Sequence, residues 1–234
     1  MINTATSFDP SNHDLNSISK SFTTNITGHN NLIKYSEKIG VKLFIYFSSI
    51  SVYEGIKNDK NGFNEDMKCH PKMLYSSSKV YAENLLKHYC NCSKMNGLVL
   101  RISGVHGQGR KNGFIYNFIN NALNNKQIKI NEPTSKFRIT FLDDLGQAML
   151  SILNKKKFNK FDIFNLASES QFNLKQVAKL IINISKSGKL IEKKVFTARN
   201  QVMNITKFKN TFLYKSYTLK ENLNKLINFY FNNK

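Results

Sequence analysis

Two apolar runs of strand length, separated by a helix-patterned segment, constrain the fold of this chain more than any other feature. The runs span residues 41–47 and 97–102 and are rich in Val, Leu, Ile and aromatic side chains, and residues 75–95 lie between them with helical apolar spacing. Unbroken apolar strands are typical of a parallel sheet that is buried on both faces. Because parallel neighbours require a long crossover connection, the pattern predicts an α/β fold with helices on a parallel sheet.

Capping residues and apolar spacing predict the remaining elements. Asn25 is a candidate N-cap of a helix that ends near Ile39, with Gly40 in the C-terminal position after it. Asn173 and Thr218 are candidate N-caps of two later helices. The other predicted elements are helices over 114–125, from near 143, over 174–185 and over 219–231, and strands over 128–130, 138–141 and 161–166.

The charge of the chain raises the question of nucleic-acid binding. The formal net charge is +20 and the isoelectric point is near 9.8, and clustered Lys and Arg side chains neutralise phosphates. The clusters are short, as in Lys155–Lys157, and only 4 of the 35 basic residues are arginine, which is the residue suited to bidentate phosphate and guanine contacts. Most lysines are therefore interpreted as solvated surface, and no specific nucleic-acid partner is predicted.

The cysteines and the hydropathy pattern favour a cytoplasmic protein without a membrane partner. The chain has 3 cysteines, an odd number without zinc-type spacing, which is typical of reduced thiols and predicts no metal site. No basic stretch followed by an apolar run begins the sequence, so no signal peptide is predicted. No apolar stretch approaches the roughly 20 residues that a spanning helix needs.

Tyr75 and Lys79 form a candidate chemical pair at the start of the 75–95 helix. Four residues apart on a helix, a phenol and an ammonium lie on one face. Tyrosine titrates near pH 10, and a neighbouring positive charge lowers its pKa. Ser48 and Ser49, at the end of the preceding strand, offer a hydroxyl that could hold the same substrate oxygen. The alternative is chance, because Tyr-x-x-x-Lys arises readily in a lysine-rich chain.

The surroundings of the pair resemble a known family. The run Phe47–Gly55, followed by Tyr75 to Lys79 and Glu83, is similar to the extended short-chain dehydrogenase/reductases, in particular the NAD-dependent epimerase/dehydratase family of nucleotide-sugar epimerases. Other blocks that resemble the family occur in its order: Ile2–Ala5, Asn25–Gly28, Leu100–Arg101, Val105–Arg110, Phe141–Leu145, Phe164–Leu166, and Arg199 with Asn204–Lys207.

The resemblance implies an incomplete Rossmann-type parallel sheet with a small C-terminal substrate-binding region. The family begins with a strand and a Gly-rich turn that binds the cofactor pyrophosphate, and this sequence has no counterpart of that N-terminal part. The expected division is a partial dinucleotide-binding domain over 1–103, to which 137–167 return, and a substrate-binding region over 104–136 and 168–234.

The resemblance also implies roles for individual residues, with NAD or NADP as the cofactor. Catalytic roles fall on Ser49, Tyr75 and Lys79, because the tyrosine removes a sugar hydroxyl proton, the lysine holds the nicotinamide ribose and the serine binds the reacting oxygen. The residues expected to bind the cofactor are Ala5, Asn25, Ser48, Tyr75 and Lys79. The residues expected to bind the substrate are Ser49, Arg110 and Arg199.

Departures from the family pattern bear on the substrate and the reaction. Gly104 and Phe137 stand where nucleotide-sugar members carry an asparagine and an arginine for the diphosphate, with Arg138 one position off. Ile50 and Ser51 occupy the positions of an Asp-Glu pair that dehydratases often use. The expected chemistry is therefore that of an epimerase or a reductase. The alternative is a catalytically inactive remnant, or a half-protein completed by a partner, and a basic nucleic-acid-binding protein is a further alternative that the charge leaves open.

The family resemblance further implies a homodimer. Its members pair two helices of each subunit in a four-helix bundle, and these correspond here to residues of about 19–39 and 75–95. Val80, Leu85 and Tyr89 are the apolar candidates for that interface, although they could equally belong to the core.

We predict that this chain alone binds NAD very weakly or not at all. Dinucleotide affinity in this architecture depends on backbone N–H groups and a helix dipole aimed at the pyrophosphate, whereas the candidate cofactor residues touch only the nicotinamide half. Isothermal titration with NAD checks this, and a dissociation constant in the low micromolar range would contradict it. An exposed sheet flank is also expected to make the isolated chain poorly soluble.

Overall fold

The structure, a computed structural model, describes residues 1–8, 15–56, 62–192 and 202–233. The contacts between Cα atoms divide these residues into two compact units. The first unit contains the described residues up to 56, with 64–102 and 155–166, and the second contains 62–63, 103–154 and the described residues from 167 onward. The functional division expected from the sequence stays a prediction.

The first unit is an α/β unit built on a parallel sheet, as the sequence predicts. The strands, in chain order, are β1 Ile2–Asn3, β2 Leu43–Ser49, β3 Asn96–Ile102, β4 Val105–His106, β5 Gln127–Ile130, β6 Lys136–Phe137, β7 Thr140–Phe141, β8 Phe161–Leu166, β9 Phe172–Asn173 and β10 Lys189–Glu192. Four of them form one sheet in the order β1-β2-β3-β8, with every pair parallel. Ile45 lies opposite Ile2 on one side and Leu98 on the other.

Five of the predicted helices lie close to their expected positions, the one that begins at Asn25 is corrected below, and the short helix over Thr206–Phe212 is not predicted from the sequence. They are α1 Leu15–Phe22, α2 His29–Lys38, α3 Leu74–Cys92, α4 Phe114–Leu123, α5 Leu142–Leu153, α6 Leu174–Ser185, α7 Thr206–Phe212 and α8 Leu219–Asn232. The crossover from β2 to β3 runs through α3, as the sequence predicts. Asn173 and Thr218 cap α6 and α8 through reciprocal hydrogen bonds with Gln176 and Glu221, which confirms both predicted caps.

The prediction that Asn25 caps a helix is wrong. Helical backbone begins ten residues earlier, at Leu15, and passes through a π-helical turn over Thr23–Gly28 into α2. None of the side chains of α1 is buried, although Leu15, Ile18 and Phe22 lie at helical spacing along it. The end is as predicted, because Gly40 follows α2 with φ of +74°, a conformation that glycine adopts without steric cost.

The core of the first unit lies between the sheet and the helices α2 and α3. Its fully buried members include Ile33, Phe44, Tyr46, Ala82, Leu86, Cys90, Met95 and Val99. Gly97 of β3 has a packing role, because a Cβ atom there would lie 2.6 Å from the Cys90 sulfur. The close approach of α3 to β3 therefore requires a residue without a side chain at this position.

A buried ion pair joins α3 to the sheet. Glu83 and Arg101 are each 4 % exposed and are 2.7 Å apart between Oε2 and Nη2, and Arg101 Nε donates to Oε1 at 3.1 Å. Ser48 donates to Glu83 Oε1 at 2.5 Å, and Arg101 donates through Nη1 to the Tyr53 hydroxyl at 2.8 Å. Tyr53 in turn donates to Asn165 of β8 at 2.9 Å. The network connects one helix, one turn and three strands.

The second unit has its own apolar core, to which α4, β5, α6 and α8 contribute. Asp144, which is fully buried on α5, accepts hydrogen bonds from Ser168, from the Tyr217 N–H at 2.8 Å and from Asn222 of α8 at 2.9 Å. Burial raises the pKa of Asp144, and these three hydrogen bonds lower it. The carboxylate thus anchors α8 to α5. No described helix is both long and apolar enough to cross a membrane.

We predict that Glu83→Ala destabilises the protein by about 3–5 kcal/mol, because it leaves the Arg101 guanidinium buried without its counter-ion. The matched control is Glu192→Ala, which removes an ion pair with Lys175 whose side chains are 40 % and 36 % exposed and which should cost less than about 1 kcal/mol. Urea unfolding measures both free energies. Equal losses in the two variants would contradict the central role of the buried pair.

Candidate active site

Two of the three predicted catalytic residues meet at the carboxyl end of β2. Ser49 is the last residue of that strand and Tyr75 is the second residue of α3, and a hydrogen bond joins their side chains. Ser49 Oγ also accepts hydrogen bonds from the Ser51 N–H at 3.2 Å and from the Ser51 hydroxyl at 3.0 Å. The two hydroxyls therefore lie close enough to bind one substrate oxygen.

The first turn of α3 fixes the position of Tyr75. Ser76 is fully buried and donates to the Glu54 carboxylate at 2.8 Å, and the Met73 N–H donates to the Ser76 hydroxyl at 3.1 Å. Glu54 Oε2 also accepts from the Lys72 N–H at 3.2 Å. An acceptor at a helix N-terminus is favoured by the free N–H groups there, so this local cluster holds the start of the helix.

Lys79, the third catalytic candidate, is 2 % exposed and turns toward the strand. Its ammonium donates to the Phe47 carbonyl at 2.8 Å and lies 4.9 Å from the ring centre of Tyr46 and 5.6 Å from that of Tyr75. Burial lowers the pKa of Lys79 to about 8, although the charge of Glu83 raises it. An ammonium with such a pKa is a poorly solvated cation next to the phenol.

The expectation that Lys79 lowers the pKa of Tyr75 is not met in this structure. Burial raises the pKa of Tyr75 above its ordinary value, hydrogen bonds with Ser49 and Thr6 lower it, and the Glu54 carboxylate raises it. The physical reason is the burial of the phenol, which is the largest influence on its pKa and outweighs the hydrogen bonds with Ser49 and Thr6. As placed here, the phenol holds its proton tightly.

Two of the candidate cofactor residues have their side chains engaged inside the protein. Ser48 is 6 % exposed and donates to Glu83. Asn25 is 2 % exposed, accepts from the Ser7 N–H at 2.7 Å and donates to the Ser7 carbonyl at 2.9 Å and to Ser78 at 3.1 Å. In this structure both side chains serve to hold neighbouring segments.

The segment that follows β1 contacts Tyr75, which sequence reasoning missed. Ala5, the remaining cofactor candidate, is exposed, and its N–H donates to Asn3 at 3.0 Å. Thr6 is hydrogen-bonded to Tyr75, and the Phe8 ring packs edge-on against the Tyr75 ring with centres 4.7 Å apart. No periodicity or motif in the sequence marks these contacts, because they join residues about 70 positions apart.

The predicted substrate residues of the second unit are placed only in part. Arg110 is exposed and folds back on its own loop, where it donates to the Val105 carbonyl and to Asn112 at 2.7 Å. Arg138 donates to the Met203 carbonyl at 3.0 Å. Arg199 lies outside the described residues.

The glycines before α4 have turn and packing roles. A Cβ atom on Gly107 would lie 2.5 Å from Leu142 Cβ, and Gly109 has φ of +81°. The first of these positions requires close packing and the second a left-handed backbone. These local roles account for both glycines without a bound pyrophosphate.

A groove of about 610 Å³ lies on the second unit along α4 and β5. Phe114 and Phe118 contribute aromatic surface to it, and Lys126 and Lys129 contribute positive charge. Asparagine and glutamine side chains complete its lining. Its size and its mixture of aromatic, amide and cationic groups suit a ligand that combines rings with negative charge.

Comparisons with known proteins identify the family from which this geometry comes. The family model described as NAD dependent epimerase/dehydratase family matches residues 2–167. The chain belongs to this family. The match covers β1 and β2 with Ser49, the start of α3 with Tyr75 and Lys79, and the strands up to β8, and it confirms the resemblance expected from the sequence.

Individual members of the family resemble this chain at moderate identity. The dTDP-D-glucose 4,6-dehydratase of Dictyostelium discoideum is 32 % identical over 172 residues, which are 69 % of this chain and 39 % of that protein. The UDP-glucuronate 4-epimerase of Thermodesulfobacterium geofontis is 29 % identical over 68 % of this chain and 48 % of its own length. This chain therefore spans less than half the length of both relatives.

A solved structure shows the same fold. The UDP-glucuronic acid 4-epimerase from Bacillus cereus, solved in complex with NAD, superposes with a TM-score of 0.82 at 22 % identity, over 97 % of this chain and 72 % of that one. At this identity the likeness establishes the fold, an epimerase-type α/β architecture.

The described residues fit one end of a nicotinamide cofactor. The Lys79 ammonium and the Tyr75 hydroxyl are polar groups at the carboxyl end of a parallel sheet, where ligands of open α/β sheets bind. Both would face a ribose and the reacting ring, while Ser48 and Asn25 hold the surrounding segments. For the pyrophosphate, the glycines at 107 and 109 offer no such fit because packing and a turn already explain them.

We predict that the stability of the protein relative to Lys79→Met rises by roughly 2 kcal/mol between pH 8 and pH 10. The pKa of Lys79 is about 8 in the folded state against 10.5 for the free side chain, so within this window the unfolded chain binds the extra proton and stability increases with pH. Urea unfolding of both proteins at the two pH values measures the difference. A pH-independent difference would show that Lys79 titrates normally.

Proposed function

We propose that the protein catalyses NAD-dependent oxidoreduction of a nucleotide-activated sugar, with epimerase or simple reductase chemistry. The observation that carries the proposal is the hydrogen bond between Tyr75 and Ser49 at the carboxyl end of the sheet, with Lys79 one turn further along α3. Family membership supports it, and so do relatives named as a dTDP-D-glucose 4,6-dehydratase and a UDP-glucuronate 4-epimerase.

Tyr75 is the proton carrier in this proposal. NAD, when bound, accepts a hydride from the sugar carbon that bears the reacting hydroxyl. Once ionised, Tyr75 takes the hydroxyl proton, and Ser49, whose hydroxyl is bonded to Tyr75, is the group placed to hold the sugar oxygen. The raised pKa of Tyr75 requires positive charge near the phenol during the reaction, and Lys79 is the cation on the same helix face.

The residues beside Ser49 favour epimerase or reductase chemistry over dehydration. Dehydration requires an additional acid and base to remove water from the sugar. Ile50 and Ser51 carry no carboxyl group, and the Ser51 hydroxyl is bonded to Ser49 Oγ at 3.0 Å. The proposed reaction therefore includes no removal of water from the sugar.

The groove along α4 and β5 of the second unit is, considered by itself, a proposed site for a nucleotide. Its aromatic side chains Phe114 and Phe118 suit a base, and its lysines Lys126 and Lys129 suit a diphosphate. These lysines would supply the charge that the absent family arginine supplies in other members. Arg199, which the resemblance assigns to the substrate, stays a candidate of the same kind.

We predict that Tyr75→Phe lowers kcat by on the order of 10²–10⁴-fold, because one deleted hydroxyl removes the proton carrier and opens no cavity. Turnover of a nucleotide sugar with NAD, by this chain joined to the pyrophosphate-binding N-terminal part of a family member, is the measurement, with circular dichroism as the check on folding. Tyr81→Phe is the matched control, since Tyr81 lies on the same helix and is 52 % exposed. Near-normal turnover in Tyr75→Phe would show that the catalytic assignment is wrong.

We further propose that two copies of the chain pair through the helices of the first unit. Val80, Leu85 and Tyr89 are half-buried, and the last two pack against the core of their own unit. Larger apolar side chains are exposed nearby in the sequence, with Phe22 of α1 at 58 % and Tyr81 of α3 at 52 %. Exposed aromatic side chains of this kind are typical of a protein interface.

We predict a mass of twice 27.0 kDa by light scattering coupled to size-exclusion chromatography. Phe22→Lys should convert the dimer to a monomer, because it places a charge in the proposed apolar interface. Phe231→Lys, at an equally exposed phenylalanine of the second unit, should leave the mass unchanged. A monomeric mass of the unmodified chain at high concentration would rule the interface out.

A further inference from the structure

The segment of residues 3–8, which begins at the last residue of β1, is held to the first unit by contacts at three places. Thr6 is hydrogen-bonded to Tyr75 and Phe8 packs on the Tyr75 ring. In its middle, both backbone groups of Ser7 are bonded to Asn25. The third contact, at the beginning of the segment, is made by a buried histidine. This histidine has no part in the sequence motifs or in the proposed reaction.

That histidine is His29, at the start of α2 and 2 % exposed. Its Nδ1 lies 2.8 Å from Asn3 Nδ2 and its Nε2 lies 3.2 Å from the Ala82 carbonyl of α3. Asn3, which is 4 % exposed, accepts the Ala5 N–H at 3.0 Å through Oδ1. The imidazole thus connects α3 to the segment through a single side chain.

The hydrogen bonds that run from Ala82 through His29 and Asn3 to Ala5 are called the relay below. The chemistry of the partners determines which atom donates and which atom accepts in each of them. The Ala82 carbonyl can only accept, so His29 Nε2 carries the proton and Nδ1 is the acceptor. The Asn3 amide nitrogen then donates to Nδ1, which leaves the Asn3 oxygen free to accept the Ala5 N–H. Only one tautomer and one amide orientation satisfy all three hydrogen bonds.

The ring of His29 also lies beside the aromatic side chain under the catalytic lysine. Its centre is 4.3 Å from that of Tyr46, and the Tyr46 ring in turn lies 4.9 Å from the Lys79 ammonium. Burial lowers the pKa of His29 to about 4, the hydrogen bond to Ala82 raises it, and the charge of Lys79 lowers it. The acceptor at Nδ1 is therefore available at neutral pH.

We infer that His29 is a positioning residue, which holds the segment of residues 3–8 against Tyr75 through Asn3. The relay itself is independent of turnover, and its importance for catalysis rests on the proposed function of Tyr75. A leucine of similar volume at position 29 fills the same space but has neither a donor nor an acceptor. Loss of the relay therefore frees the Asn3 amide, which accepts the Ala5 N–H, and loosens the start of the segment that carries Thr6 and Phe8 to Tyr75, while the bonds of Ser7 to Asn25 remain.

The test compares His29→Leu and Asn3→Leu with the unmodified chain by NMR spectroscopy. One readout is the amide exchange rate of Ala5 divided by that of Val99 in β3, which removes any change in global stability. The other is the ¹³Cζ resonance of Tyr75, which reports the hydrogen bonds of its hydroxyl. We expect the normalised exchange of Ala5 to rise about tenfold in both variants, the ratio that corresponds to one lost hydrogen bond of 1.4 kcal/mol, and the Tyr75 resonance to move.

Rescue and control variants separate this role from core packing. His29→Gln retains a donor for Ala82 and an acceptor for Asn3 and should restore both readouts, whereas His88→Leu, at an exposed histidine of α3, should change neither. A folded His29→Leu with the Ala5 exchange and Tyr75 resonance of the unmodified chain would overturn the inference.

If His29→Leu does not fold, Asn3→Ser, whose side chain is too short to reach His29, takes its place with the same two readouts and the same criterion. Turnover is not a readout, so an active Tyr75→Phe would overturn the catalytic proposal and leave this test unaffected.

Discussion

The buried pair of Glu83 and Arg101 is the interaction on which the first unit depends. Taking two charges out of water is costly, and only close geometry with satisfied hydrogen bonds offsets the cost. Here the guanidinium binds both carboxylate oxygens and the Tyr53 hydroxyl, while Ser48 binds the carboxylate. Because Glu83 lies one turn beyond Lys79 on α3, the pair fixes how that helix lies along β2 and β3. Tyr75 and Lys79, the proposed catalytic residues, lie on the same helix.

Burial governs the electrostatics of the candidate active site more than the pairing of charges does. It raises the pKa of Tyr75 and lowers that of Lys79, so both groups favour their neutral forms. The hydrogen bond of Lys79 to the Phe47 carbonyl further engages the ammonium at the strand. The phenol of Tyr75 therefore keeps its proton in this structure.

The segment after β1 also contacts the candidate active site. Thr6 and Phe8 contact Tyr75, and the buried amides Asn3 and Asn25 tie the segment to the helices. Buried polar groups require complete satisfaction, because each unpaired donor or acceptor costs about 1–3 kcal/mol. A network in which every partner is used therefore specifies one position for the segment. In this way side chains that sequence reasoning assigned to a cofactor contribute to the geometry of the catalytic tyrosine.

The sequence by itself determined the α/β class, the crossover through α3, the caps at Asn173 and Thr218, the family, and the proximity of Tyr75 to Ser49. These follow from local periodicity, capping chemistry and a motif of fixed spacing, all of which are written in short stretches of chain. The start of α1 at Leu15 was not predicted, although Leu15, Ile18 and Phe22 lie at helical spacing, and the direction of the Tyr75 pKa was not predicted because spacing on a helix does not show how deeply a phenol is buried. Only the tertiary structure decided the contacts of Thr6 and His29, since burial and hydrogen bonding between residues distant in sequence depend on how the elements pack.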